Sequence, residues 1–136
     1  VFGLQTSNGV IAAPPYYGIR TARDERFRYI RNLTPEVTFT NAVMRSDFWP
    51  EWKAEAAKGD PDASVAVRRY QHRPAEELYD CRNDPWNRYN LIDDPAFAAV
   101  KTRLSAALDA WMTDQGDLGQ ATELAADKRL WKNRDE

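Results

Sequence analysis

Between Asp94 and Gly116, the residues Phe97, Val100, Leu104, Leu108, Trp111 and Met112 recur mostly at spacings of three and four. That spacing lines them up along one stripe of an α-helix. Asp94 supplies an N-cap, Pro95 suits the first helical position, and Gly116 suits the C-terminal cap. A helix with one apolar stripe must bury it against another layer, and the chain before it is dominated by strand patterns. The expected fold class is therefore α+β: a small antiparallel sheet of about four strands covered by this long C-terminal helix, a two-layer sandwich. With 136 residues, there is enough chain for one such domain.

The strands are expected in order. Val1 to Thr6 reads as a strand, Asn8-Gly9 as a type I′ turn, and Val10 to Ala13 as the returning strand of a first hairpin. Pro14-Pro15 stops further pairing. Tyr17 to Arg23 and Arg26 to Leu33 form a second hairpin around Asp24-Glu25, with Phe27 and Tyr29 alternating with arginines at the period of a half-buried strand. Five arginines fall between Arg20 and Arg31, and most should lie on the face away from the core or at its ends. Residues 34–44 read as loop or short strand. A capped helix start at Ser46-Asp47 and a second helical segment over Asp62 to Tyr70 then form an excursion rich in aromatics (Trp49, Trp52, Tyr70) that would line a cleft. Glu77-Leu78-Tyr79 is the last strand, followed by a polar turn and Asn90-Leu91. Residues 120–136 form a polar tail, helical from Glu123 to Trp131 and anchored by Leu124, Leu130 and Trp131.

The net charge of -2 gives no electrostatic reason to expect a nucleic-acid or membrane partner. The opening directly into a strand, without methionine, predicts a fragment or a processed chain. Cys81 is the only cysteine and His72 the only histidine, too far apart along extended chain to form a catalytic pair. Asp80, Asp84, Asp93 and Asp94 lack the alternate spacing of a calcium loop, and turn and cap chemistry accounts for Asp84 and Asp94. The Arg20–Arg31 hairpin would serve, in a second reading, as a stand-alone binding surface for anionic carbohydrate or nucleic acid, with Phe27 and Tyr29 stacking on bases.

Three stretches, VFGLQTSNGV, YYGIRTARDERFRYIRNL and RPAEELYDCRNDPWNRYNLIDDPAFAAVKTRLSAALDAWM, stand in the order seen in one family. Together they resemble the C-terminal subdomain of the type I, alkaline-phosphatase-like sulfatases, most closely the heparan N-sulfatase branch. The shared pattern is an Arg-x-x-Arg strand leading to an aromatic-Ile-x-Asn-Leu strand, then Glu-Leu-Tyr-Asp, Asp-Pro, Asn-Leu and a final helix. The resemblance covers residues 1–119 and sets off residues 120–136 as a tail.

The resemblance implies a division of labour. In such enzymes a large N-terminal domain carries a formylglycine, made from a Cys/Ser-x-Pro-x-Arg motif, and holds Ca2+. The formylglycine attacks sulfur while the cation stabilises the sulfate oxygens. Cys81-Arg82-Asn83-Asp84-Pro85 does not match that motif, so neither the nucleophile nor a metal site is placed on this chain. Its expected partners are the N-terminal catalytic domain of the same protein and a sulfated sugar or other small sulfated substrate, and its expected location is extracytoplasmic. The residues expected to face substrate are Gln5, Thr6, Ser7 and Asn8 in the first turn, and Arg20, for which a buried ion pair is the competing role. Glu77-Leu78-Tyr79 is expected to be structural, with Leu78 in the core and the Tyr79 hydroxyl bonded.

Overall fold

The computed structural model describes residues 1–129. Four strands, β1 (Phe2–Gln5), β2 (Ile19–Arg23), β3 (Phe27–Asn32) and β4 (Glu76–Asp80), form one antiparallel sheet in sequence order. Between β3 and β4 the chain makes a helical hairpin, α1 (Phe48–Ala57) and α2 (Pro61–Gln71). After β4 comes the long helix α3 (Ala98–Asp114), then the short α4 (Gln120–Leu124). This is the expected α+β architecture, with α3 on one face of the sheet. The 33–73 segment covers part of the other face, where Phe39 and Tyr70 pack around Tyr17 and Ile19. No helix among the described residues is long and apolar enough to cross a membrane.

The main core lies between sheet and α3. Ala22, Phe27, Tyr29 and Leu78 meet Leu104, Leu108 and Met112, so the periodic stripe of the sequence is the buried face of α3. Ion pairs frame this layer: Arg31 with Asp109, Lys101 with Glu76 and Arg103 with Asp24. Asp94 caps the turn leading into α3 by accepting the Ala96 N–H at 2.9 Å.

The outer edge of β4 is closed by the Asn90-Leu91 segment. Asn90 Oδ1 accepts the Leu78 N–H at 2.8 Å, its amide donates to the Glu76 carbonyl at 3.3 Å, and the Leu91 N–H donates to the Leu78 carbonyl at 2.8 Å. A side chain thus replaces a fifth strand, and the edge is not left as a template for another chain. The outer edge of β1 has no such cover from the described residues.

Three expectations are corrected. The first hairpin does not form: β1 pairs with β2, Phe2 opposite Ala22 and Gln5 opposite Ile19, and Val10–Ala13 is a second turn. Of the residues in the first turn only Gly9 has positive φ (82°), which fits a type II pattern rather than I′. The reason is Ser7. Its hydroxyl donates to the Pro14 carbonyl at 2.6 Å and accepts the Tyr17 N–H at 2.8 Å, folding residues 7–17 into a loop that delivers the chain to β2. Second, the expected cap at Ser46-Asp47 is absent, because Ser46 Oγ turns back to the Val43 carbonyl and the Asp47 side chain makes no cap bond. Third, the tail is not anchored by Leu124, which is 58% exposed; its buried neighbour Glu123 is the anchor. The other two expected anchors, Leu130 and Trp131, lie outside the described residues.

Two carboxylates give the fold an acid-sensitive window. At Asp24, burial opposes ionisation, but the Phe27 N–H, the Arg103 guanidinium and the Arg26 N–H outweigh it and hold the pKa at about 2. At Asp80 the Arg26 guanidinium is the main cause, and the pKa is again about 2. Both folded values lie below the ordinary 3.8, so their stabilisation is fully present above that pH and is lost as the pH falls through about 2. Denaturant midpoints should therefore fall steeply between about pH 4 and pH 2. Asp80→Asn should be less stable than the parent at neutral pH and converge on it at the acid end. Parallel curves for the two proteins would contradict this assignment.

Candidate functional site

β1 ends at Gln5 and β2 runs antiparallel to it, so the first turn hangs over the end of the sheet beside the C-terminus of α3. There Leu4, Thr6, Asn8, Arg20, Trp111 and Gln115 line a cleft of about 480 Å³. Thr6, Asn8 and Arg20, all expected to face substrate, are brought together here. Ser7 is not: it is buried and spends its hydroxyl inside the loop. Gln5 is exposed and contributes its backbone carbonyl to Arg20.

Arg20 is 1% exposed and every nitrogen of its guanidinium is engaged. Nε donates to Asp117, and Nη2 reaches Asp117 Oδ1 at 3.1 Å and Glu123 Oε1 at 2.8 Å. Nη1 donates to the Ile19 and Gln5 carbonyls at 3.2 and 3.5 Å. Burial disfavours its charge, but the bonds to Asp117 and Glu123 prevail and raise its pKa. Burial likewise works against the Asp117 carboxylate, while Arg20 and the Gly119 N–H hold its pKa below the ordinary value. In this structure Arg20 is the hub of a buried ion cluster, with no N–H left over for a bound anion.

The same cluster orders the first turn. Thr6 Oγ1 donates to Glu123 Oε2 at 2.6 Å and accepts the Asn8 N–H at 3.3 Å, and the Asn8 amide donates to Asp127 at 3.2 Å. Gly18 makes room for this arrangement, since a Cβ there would lie 2.7 Å from Glu123 Cγ and 2.8 Å from Leu33 Cδ1. The turn's amide side chains are thus the exposed Gln5 and the half-buried Asn8, whose amide is tied to Asp127 while its N–H is held by Thr6 Oγ1. Sequence periodicity singles out neither Asp117 nor Glu123, because an ion pair spanning 97 residues leaves no local spacing to read.

The residues around Cys81 form a turn. Asp80 accepts from Arg26, from the Asn83 amide and from the Arg82 and Asn83 N–H groups, and Cys81 Sγ lies 3.6 Å from Asn87 Oδ1. Among the described residues no group of three or more His, Cys, Asp or Glu side chains is placed to hold a metal ion. The Tyr79 hydroxyl donates to Glu77 Oε2, and Leu78 is fully buried, as expected of a structural strand.

No protein-family model matches the chain. It is 29% identical over 123 residues to an ulvan-active sulfatase of Formosa agariphila, covering 87% of this chain and 22% of the relative. It is 31% identical over 117 residues to another ulvan-active sulfatase of the same organism, covering 83% of this chain and 20% of the relative. The chain spans about a fifth of the length of the curated relatives it matches.

Proposed function

We propose that these residues form the C-terminal subdomain of a sulfatase that removes sulfate esters from sulfated sugars. The observation that carries this reading is the similarity to two ulvan-active sulfatases over more than four-fifths of the chain. It agrees with the ordered strand and helix motifs, whose elements here form one sheet and its covering helix. In this reading the formylglycine and Ca2+ belong to a preceding domain of the same protein, and the location is extracytoplasmic. The likeness to the heparan N-sulfatase branch would make the scissile bond a sulfamate. The relatives are named for ulvan, and we assign the ester.

The part played by this chain is structural and substrate-facing. Its exposed apolar residues Val1, Leu4, Val10 and Ile11 follow the uncovered strand β1 and the loop after it, where we place the contact with the catalytic domain. Gln5 and Asn8 form a neutral, hydrogen-bonding wall for the substrate pocket, and Arg20 holds that wall from behind. A stand-alone nucleic-acid platform on the Arg20–Arg31 hairpin is less well supported. Phe27 and Tyr29, the rings it would use, are buried under α3, and Arg20, Arg26 and Arg31 are paired with carboxylates.

The direct test of this division of labour is an assay of the 136-residue chain alone on a chromogenic aryl sulfate with calcium. No turnover above the buffer rate is expected, and turnover by this chain would place the nucleophile within it.

A further inference from the structure

The face of the sheet away from α3 carries a second concentration of charge. Arg28, Trp52, Arg69, Arg73, Trp86 and Arg88 line a cleft of about 470 Å³ between β3, α2 and the turn after β4. A neighbouring cleft of about 510 Å³ shares Arg69, Arg73 and Arg88 and adds Arg68 and His72, so the two run into one groove. None of these five arginines is in a salt bridge among the described residues. The acids on the groove are Asp62 and Glu77, and both Glu77 oxygens are already occupied, by the Asn32 amide and the Tyr79 hydroxyl. On a chain of net charge -2, a local excess of guanidinium groups is a focused potential for anions.

The groove is also built rather than merely charged. Arg73 is pressed against the Phe39 ring, 5.0 Å from its centroid, with its Nε buried and unpartnered. Arg69 donates to the Asn87 and Arg88 carbonyls, which fixes the turn that presents Trp86, 83% exposed, beside Arg88. Planar guanidinium forks suit sulfate oxygens, and flat indole faces suit the apolar faces of sugar rings. A domain contact would be expected to carry few charges at its centre; here the exposed apolar side chains Trp52, Val65 and Trp86 are set among the arginines, whereas Val1, Leu4, Val10 and Ile11 follow β1 and its loop.

We propose that this groove is a binding subsite for a sulfated polysaccharide chain, engaging sugars beyond the one whose sulfate is removed. The inference rests on the sulfatase reading and deepens it. Arg28 and Arg88 make no side-chain hydrogen bonds within the described residues, so they can be changed without dismantling the fold. The experiment uses the full-length protein carrying this segment, with a size-defined heparin oligosaccharide and its desulfated counterpart as probes. Arg28→Ala combined with Arg88→Ala should weaken binding of the sulfated probe by roughly tenfold and flatten its salt dependence. It should leave kcat on a small aryl sulfate unchanged. Trp86→Ala should weaken both probes, since its ring reads the sugar rather than the sulfate.

Unchanged affinity of the double variant for the sulfated probe would overturn the proposal. An equal loss for the desulfated probe would do the same, as would tighter binding of a single-stranded oligoribonucleotide at the same residues. Absence of aryl sulfate turnover by the unmodified protein would count against the sulfatase reading alone, because the binding measurements are read separately.

Discussion

Replacing Arg20 by methionine is expected to lower the free energy of unfolding by about 3–5 kcal/mol. The variant leaves Asp117 and Glu123 facing each other with no cation between them, and both are over nine-tenths buried. Methionine fills much of the space, so most of the loss would come from stranded charge rather than from a cavity. Glu123→Gln is the informative control. It keeps an oxygen for the Arg20 Nη2 while the new amide donates to the Thr6 hydroxyl, and it leaves Arg20 with a single carboxylate, a neutral pair, so its cost should be nearer 1 kcal/mol. Acid should narrow the gap between Arg20→Met and the parent. Arg20 depresses the Asp117 pKa, so that contribution is present above the ordinary 3.8 and fades as the pH falls below it. Equilibrium denaturation at two pH values reads all three quantities. If Arg20→Met and Glu123→Gln cost the same, the cluster is not held by charge.

Leu78→Ala is expected to cost about 2–5 kcal/mol. Leu78 is 0% exposed at the centre of β4 and packs within the cluster that joins Tyr29 to Leu104 and Leu108. Around it Asn90 closes the strand edge, so the site has little freedom to collapse into the cavity. Leu124→Ala should change stability by no more than about 0.5 kcal/mol, because that side chain stays in solvent. The pair of measurements distinguishes where α3 and α4 gain their hold: α3 through apolar packing, α4 through Glu123.

What could be read in advance follows from the range over which each signal acts. The stripe on α3, the alternation in β3, the short strand around Leu78 and the Asp94 cap are local patterns, and each maps onto the element it announced. The partner of β1 is not a local property. Asn8-Gly9 suggested a tight hairpin, yet the choice was made by Ser7 reaching Pro14 and Tyr17, and a hydroxyl carries no periodicity. Glu123 reads as an exposed helix residue until its pairing with Arg20 is seen. The same limit explains the arginine groove. Arg28 comes from β3, Arg69 and Arg73 from α2 and the segment after it, and Arg88 from the turn after β4, so only the fold brings them to one wall.

The central claim, that this chain completes a sulfatase, is tested most directly by measuring inorganic sulfate released from a sulfated polysaccharide by the full-length protein, with and without calcium. Sulfate release that needs calcium is the predicted result; no sulfate release in the presence of calcium, from a protein shown to be folded, would contradict it.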